Sequence, residues 1–246
     1  MKKEKEYPIS EIFVSPQGEG AFSGTAMLFI RLAGCSVGKR YPKEMYEPHD
    51  EQFHVGTETV PGLPIYAEMC TLYDGRTFQC DTDYRVKNRL STKQIFEQLP
   101  GGVSHVCVTG GEPFIHDLTE IATECFTRKC MLHVETSGTV ALEKAFPNDG
   151  AGPTWVTVSP KFPVLPAMIQ RANEIKLLVD KDFDPGKLPV SVVQHPLVYI
   201  MAVNYEHTVN KENVKLLMQW HKKYPNWRIG LQLHKVLESY IDQRVL

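Results

Sequence analysis

Val103-Ser-His-Val-Cys-Val-Thr-Gly-Gly-Glu-Pro113 is the stretch on which the fold turns. Val103 to Val108 is a short apolar run that stops at a Gly-Gly pair, as a buried strand entering a tight loop does. Asp117 follows as the expected N-cap of a helix whose buried face is Leu118, Ile121, Ala122, Cys125 and Phe126. Strand, loop and helix make one βα unit. At its turn, two residues without side chains let the backbone approach a ligand closely, and the Glu112 carboxylate is placed to hold an amine.

The unit recurs on both sides. Ala26 to Leu32, an apolar run broken by Arg31, ends in Ala33-Gly-Cys35. Cys130 to Val134 ends in Glu135-Thr-Ser-Gly138, and Trp155 to Val158 in Ser159-Pro-Lys161. Glu174 to Val179 and Leu197 to Met201 read as further strands. Lys211 to Lys223 carries Val214, Leu217, Met218 and His221 at helical spacing, and Pro225 ends it before a last strand, Trp227 to His234. In that strand Ile229, Leu231 and Leu233 alternate with Arg228, Gly230, Gln232 and His234, which reads as a packed face and a polar one. The class is α/β. Each polar cluster follows a strand, and in barrels and open parallel sheets such loops converge on one face, where ligands bind.

Length and charge narrow the function. The 246 residues suffice for one domain, and 27 basic against 29 acidic side chains leave a net charge of -2 with no long basic run. Nucleic acid is therefore not the expected partner. No run of about eighteen apolar residues could span a bilayer, and the Met1-Lys-Lys-Glu-Lys start has no apolar signal stretch, so a cytoplasmic location is expected. In a reducing compartment the six cysteines read as ligands, catalytic groups or buried small hydrophobes rather than disulfides.

Cys107, Cys125 and Cys130 sit within strand or helix patterns and read as structural. Cys35, Cys70 and Cys80 fall in loop-like sequence, and Cys80 precedes Asp81-Thr-Asp83. Thiolates suit iron or zinc and those oxygens suit magnesium, so a soft and a hard site would adjoin. Spacing alone leaves two readings: an iron–sulfur cluster with one iron open to a ligand, or a structural zinc completed by His49 or His54. Arg31 reads either as a carboxylate-binding fork or as a strand arginine paired to a structural acid.

Taken in order, Gln17-Gly-Glu-Gly20, Phe29-Ile-Arg-Leu-Ala-Gly-Cys35, Cys80-Asp-Thr82, Thr109-Gly-Gly-Glu-Pro113, Glu135-Thr-Ser-Gly138, Val158-Ser-Pro-Lys161, Asn173-Glu-Ile-Lys176 and Gln232-Leu-His-Lys235 resemble the 7-carboxy-7-deazaguanine synthases. These are radical S-adenosylmethionine enzymes of queuosine and deazapurine biosynthesis. The resemblance implies a shortened, partial radical S-adenosylmethionine β/α barrel, with residues 1–246 as one domain and an insertion at about 36–69. It implies conversion of 6-carboxy-5,6,7,8-tetrahydropterin to 7-carboxy-7-deazaguanine with loss of ammonia, a homodimer, and an electron donor such as flavodoxin or ferredoxin.

Carried over motif by motif, Cys35, Cys70 and Cys80 hold a 4Fe-4S cluster and Thr82 a magnesium ion. Gly111, Glu112, Ser137, Ser159, Pro160 and Lys161 bind S-adenosylmethionine, and Pro16, Gln17, Gly18, Glu19, Arg31, Thr109, Gln232 and His234 form the substrate shell. Two features depart from the family pattern. Nine residues, Thr71 to Gln79, lie between the second and third cysteines where the family has two, and Met201-Ala202 stands where Gln-Pro is usual. A glycyl-radical-activating enzyme and a zinc-binding interaction module are the alternative readings.

Overall fold

A sheet in which nearly every strand alternates its side chains between an apolar outer face and an inner one organises the chain. The computed structural model describes residues 4–38, 69–80, 82–83, 85–147, 152–203, 210–233 and 236–237. Most of the expected 36–69 insertion, and His234, lie outside the described residues. In chain order the elements are β1 (Glu6–Pro16), β2 (Ala26–Leu32), β3 (Met69–Thr71), β4 (Thr77–Gln79), β5 (Asn88–Ser91), α1 (Thr92–Phe96), β6 (His105–Gly110), α2 (Thr119–Thr127), β7 (Met131–Thr136), α3 (Leu142–Ala145), β8 (Trp155–Val158), α4 (Pro166–Arg171), β9 (Glu174–Val179), α5 (Val190–Val193), β10 (Val198–Ala202), α6 (Lys211–Lys223) and β11 (Arg228–Ile229).

Nine strands form one sheet in the order β11-β10-β9-β8-β7-β6-β2-β1-β5. From β2 to β11 neighbours are parallel and, past the β2–β6 step, follow chain order, each step crossing through a helix. Chain-ordered parallel strands of this kind form an arc of a β/α barrel rather than a doubly wound sheet. β1 and β5 extend the arc antiparallel.

The outer face carries Leu28, Ile30, Val106, Val108, Leu132, Val134, Val156, Val158, Ile175, Leu177 and Ile200, all buried under the helices with Phe96, Ile121, Met168, Val192 and Leu217. A strand's period of two then sends Phe29, Arg31, Cys107, Thr109, His133, Glu135, Thr157, Glu174 and Lys176 to the inner face. The Ser91–Gln94 capping box starts α1, and the Asn210 side chain accepts from the amides of Glu212 and Asn213 at the head of α6.

Several expectations are corrected. Phe126 is 78% exposed, because α2 buries only Ile121, Ala122 and Cys125. The buried side of α6 is Asn213 and Leu217, leaving Val214 and Met218 partly exposed. Helical spacing marks a stripe, but its rotation on the sheet is set by packing. The last strand is two residues long, and Ile229 and Leu231 are exposed rather than packed. Asp117 lies one residue before the N-cap, Leu118, and accepts from the Thr119 amide and hydroxyl.

Candidate active site

The C-terminal ends of the parallel strands open into a cavity of about 1580 Å³. At one end of it sit the thiols. Cys35 is 4% exposed, three residues past β2, and packs with Val37 and Cys80. Burial pushes its thiol up to about 12, and the charge of Cys70 adds to the effect. The hairpin explains how nine intervening residues keep Cys70 and Cys80 together: Met69 pairs with Gln79 and Cys70 with Phe78, so the chain returns to where it began. Cys35, Cys70 and Cys80 all line the cavity.

The donor set fits a cluster. Among the described residues no three His, Cys, Asp or Glu side chains are grouped to hold a single metal ion. A four-iron cluster would instead take one thiolate per iron, so the three thiols that line this cavity would leave one iron for another ligand. Thr82 lines the same end, whereas Asp83 is engaged by Arg85 and Lys87, whose positive charge holds its carboxyl well below the usual range.

The Gly-Gly turn is pressed onto the cysteine loop. The Glu112 amide donates to the Gly34 carbonyl at 2.9 Å, and a Cβ on Gly111 would overlap that carbonyl and Cys35 Cβ. Gly110 has φ +142° with the β2 backbone against it, a position for glycine alone. Glu112 itself corrects an expectation. Its side chain is 0% exposed and accepts from the amides of Phe114 and Ser137 and the hydroxyls of Thr136 and Ser137. Burial nonetheless raises its pKa. It braces the turn between β6 and β7 and lies outside the cavity lining. Ser137, Ser159 and Lys161 line the cavity; Pro160 is buried between the last two and does not. Lys161 Nζ donates to the Ser159 hydroxyl at 3.1 Å.

At the centre is a charged network that joins the expected Gln17, Glu19 and Gln232 to two residues the sequence reading left out of the site, Glu135 and Lys176. Lys176, buried, pairs with Glu19 at 2.6 Å and Glu135 at 3.2 Å. Those carboxylates hold its pKa well above the ordinary lysine value against the cost of burial. Gln17 Nε2 donates to Glu135 at 3.1 Å, and Gln232 Nε2 to Glu19 at 3.0 Å. Glu174 and Lys176 have separate tasks: Glu174 accepts from the Ala21 amide and the Thr157 hydroxyl. The signal for Glu135 and Lys176 was their position. A charge inside a buried strand, in step with Arg31 and Thr109, demands a partner.

The segment between β1 and β2 carries Pro16, Gln17, Gly18 and Glu19 into the cavity wall, and beyond β11 the Leu233 amide donates to the Gly18 carbonyl at 2.9 Å. Arg31 is paired and also faces the cavity. Its Nε pairs with Glu11 at 3.2 Å, yet it lines the cavity with Thr109. Met201 and Ala202 make an apolar stretch of the wall. Thiols, a backbone cradle, hydroxyls and a fork of cation and carboxylates thus share one enclosure, suited to a charged cofactor beside a polar heterocycle.

No protein-family model matches the chain. It is 30% identical to the 7-carboxy-7-deazaguanine synthase of Synechocystis sp. over 94% of this chain and 92% of that one. With the enzyme of the same name from Escherichia coli K12 it shares 30% identity over 94% of this chain and 98% of that one. The crystal structure of QueE from Escherichia coli superposes with a TM-score of 0.59, at 26% identity, over 92% of this chain and 93% of that one.

Proposed function

The chain belongs to the 7-carboxy-7-deazaguanine synthase family, and from that premise we propose how its own residues serve the radical S-adenosylmethionine conversion of 6-carboxy-5,6,7,8-tetrahydropterin to 7-carboxy-7-deazaguanine. The observation that carries the reading is the single cavity that holds Cys35, Cys70 and Cys80, the Gly110–Gly111 turn and the Gln17, Glu19, Arg31 and Glu135 side chains together. A 4Fe-4S cluster with S-adenosylmethionine supplies the one-electron cleavage that starts the reaction.

The protein's part is to bind, orient and exclude. Cys35, Cys70 and Cys80 hold the cluster. Gly111 and the Ser137 and Ser159–Lys161 loops cradle the cofactor, their position at the strand ends matching the barrel rule. Arg31 takes the pterin carboxylate as a planar fork, while Glu19, Gln17, Thr109 and Gln232 meet its amide and amine edge. Lys176 holds Glu19 and Glu135 in place, and Gln232 and Gln17 donate to them. Thr82 would give a hard oxygen to a magnesium ion at the thiol end, a charge that would offset that of the substrate carboxylate.

The whole chain serves as one domain carrying the 36–69 insertion, and the functional unit is a cytoplasmic homodimer reduced by flavodoxin or ferredoxin. Among the described residues no helix is long and apolar enough to cross a membrane. The test is anaerobic reconstitution with iron and sulfide, then incubation with reductant, S-adenosylmethionine, magnesium and the tetrahydropterin. Mass spectrometry is expected to find 7-carboxy-7-deazaguanine. Cleavage of S-adenosylmethionine without product would remove the pterin from this site.

A further inference from the structure

The nine residues between Cys70 and Cys80, where the family has two, form most of the β3–β4 hairpin and its turn, a two-stranded sheet separate from the main one. A hairpin of three-residue strands is marginal on its own in water, so tertiary contacts must hold it. They come from two places far apart in the sheet. At the base, Thr71 Oγ1 donates to the Val37 carbonyl at 3.3 Å, on the loop of Cys35 after β2. At the tip, Arg76 reaches the loop after β9: Nη1 contacts Asp180 at 3.0 Å and Asp182 at 3.7 Å, while Nε holds Asp74 at 2.6 Å. Tyr73 meets Phe183 edge-on, donates to the Asp184 carbonyl at 3.1 Å and accepts from its amide at 3.2 Å. Three strands, β6, β7 and β8, separate β2 from β9 in the sheet, so the hairpin spans the cavity mouth.

Three carboxylates around one guanidinium exceed what a turn closed by Gly75 at φ +83° requires. Leu72, Arg76 and Thr77 line the cavity, as do Asp180 and Asp182, and Arg76 Nη2 is buried with no hydrogen-bond partner among the described residues. We propose that the hairpin is a brace across the cavity mouth and that Arg76 is its positioning residue, tying Cys70 and Cys80 to the end of β9 and roofing the S-adenosylmethionine side of the cavity. The proposal rests on the radical S-adenosylmethionine reading above and adds to it a residue group that replaces the family's short spacer. Arg76 acts through the two thiols and the roof, not on the reacting atoms.

The experiment compares the full chain, anaerobically reconstituted, as wild type, Arg76→Ala, Arg76→Lys and Asp180→Asn. Iron content is expected to be retained in all four. Arg76→Ala and Asp180→Asn should raise the KM for S-adenosylmethionine about tenfold, as loss of a charged fork does, with a smaller fall in kcat. They should also weaken the change that S-adenosylmethionine makes in the electron paramagnetic resonance signal of the reduced cluster. Arg76→Lys, a point charge without the fork, should recover only part of both. Wild-type KM and spectrum in Arg76→Ala would overturn the positioning role. A wild-type chain that takes up no cluster would overturn the three-cysteine assignment and the positioning role with it. Hydrogen exchange at the Leu72 and Gly75 amides of the metal-free protein then decides the brace alone: faster exchange in Arg76→Ala supports it, and unchanged exchange overturns it.

Discussion

A step of two positions leads from His133 to Glu135 on β7, and the same step leads from Cys107 to Thr109 on β6 and from Phe29 to Arg31 on β2. Every pair occupies the inner face, one pleat apart. On β6 and β7 the lower member belongs to a packed layer, while Phe29 on β2 also reaches the cavity wall: Phe22 stacks edge-on against His133 at 4.6 Å and Trp155 at 4.9 Å, and His105 Nδ1 lies 2.8 Å from His133 Nε2. The upper member faces the cavity. The difference teaches that one strand register serves two purposes: its N-terminal half closes the barrel by packing, and its C-terminal half keeps polar groups beside open space.

The largest break in that division would come from the thiol end. Cys70→Ala is expected to abolish cluster assembly, read as loss of iron, sulfide and visible absorbance, while the fold survives by circular dichroism. Lys176→Met leaves Glu19 and Glu135 facing each other inside the cavity wall, and should cost about 3–5 kcal/mol in denaturant unfolding. An unchanged midpoint would mean that water already compensates those carboxylates.

The packed layer makes a pH-dependent contribution. Burial first, then His105, lowers the His133 pKa to about 4, below the ordinary 6.5. The unfolded chain therefore binds a proton near pH 6.5 that the folded chain refuses until about pH 4. This contribution is full above pH 6.5 and is lost progressively as pH falls through that window, on the order of 3 kcal/mol in all. Subtracting the unfolding free energy of His133→Gln from that of the wild type across this pH range should isolate the slope, and parallel curves would show that the pair takes up its proton at the ordinary pH.

On the upper layer, Arg31→Ala should raise the KM for the tetrahydropterin about 10- to 100-fold and leave the cluster spectrum intact. Normal turnover at low substrate would assign Arg31 to Glu11 alone. The smallest effect belongs to the outside: Phe126→Ser, at a side chain 78% exposed, should shift stability by less than about 0.5 kcal/mol.

Strands whose apolar residues fill the outer face were legible, and β2, β8 and β9 have the bounds their hydrophobic runs suggest. β1 was not, since Glu6–Pro16 mixes burial on both faces and carries two prolines. Phe126 and Val214 were misread because periodicity measures spacing on a helix and not which side meets the sheet. In the site, the motifs singled out the thiols and the glycine turn as candidates, whereas the groups that engage Glu112, Thr136 at the end of β7 and Ser137 just past it, are brought to it only by the fold.

What the sequence by itself determined was the order of strand, loop and helix, the family, and the kinds of donor present, because these follow from local periodicity and from motifs contiguous in the chain. Only the tertiary structure decided that Lys176 answers Glu19 and Glu135, that Cys70 and Cys80 return to one another through a hairpin, and that Arg76 crosses to Asp180. Those partners lie far apart in sequence, and a buried charge or an unsupported hairpin states only that a partner is required, while closure of the sheet selects which one.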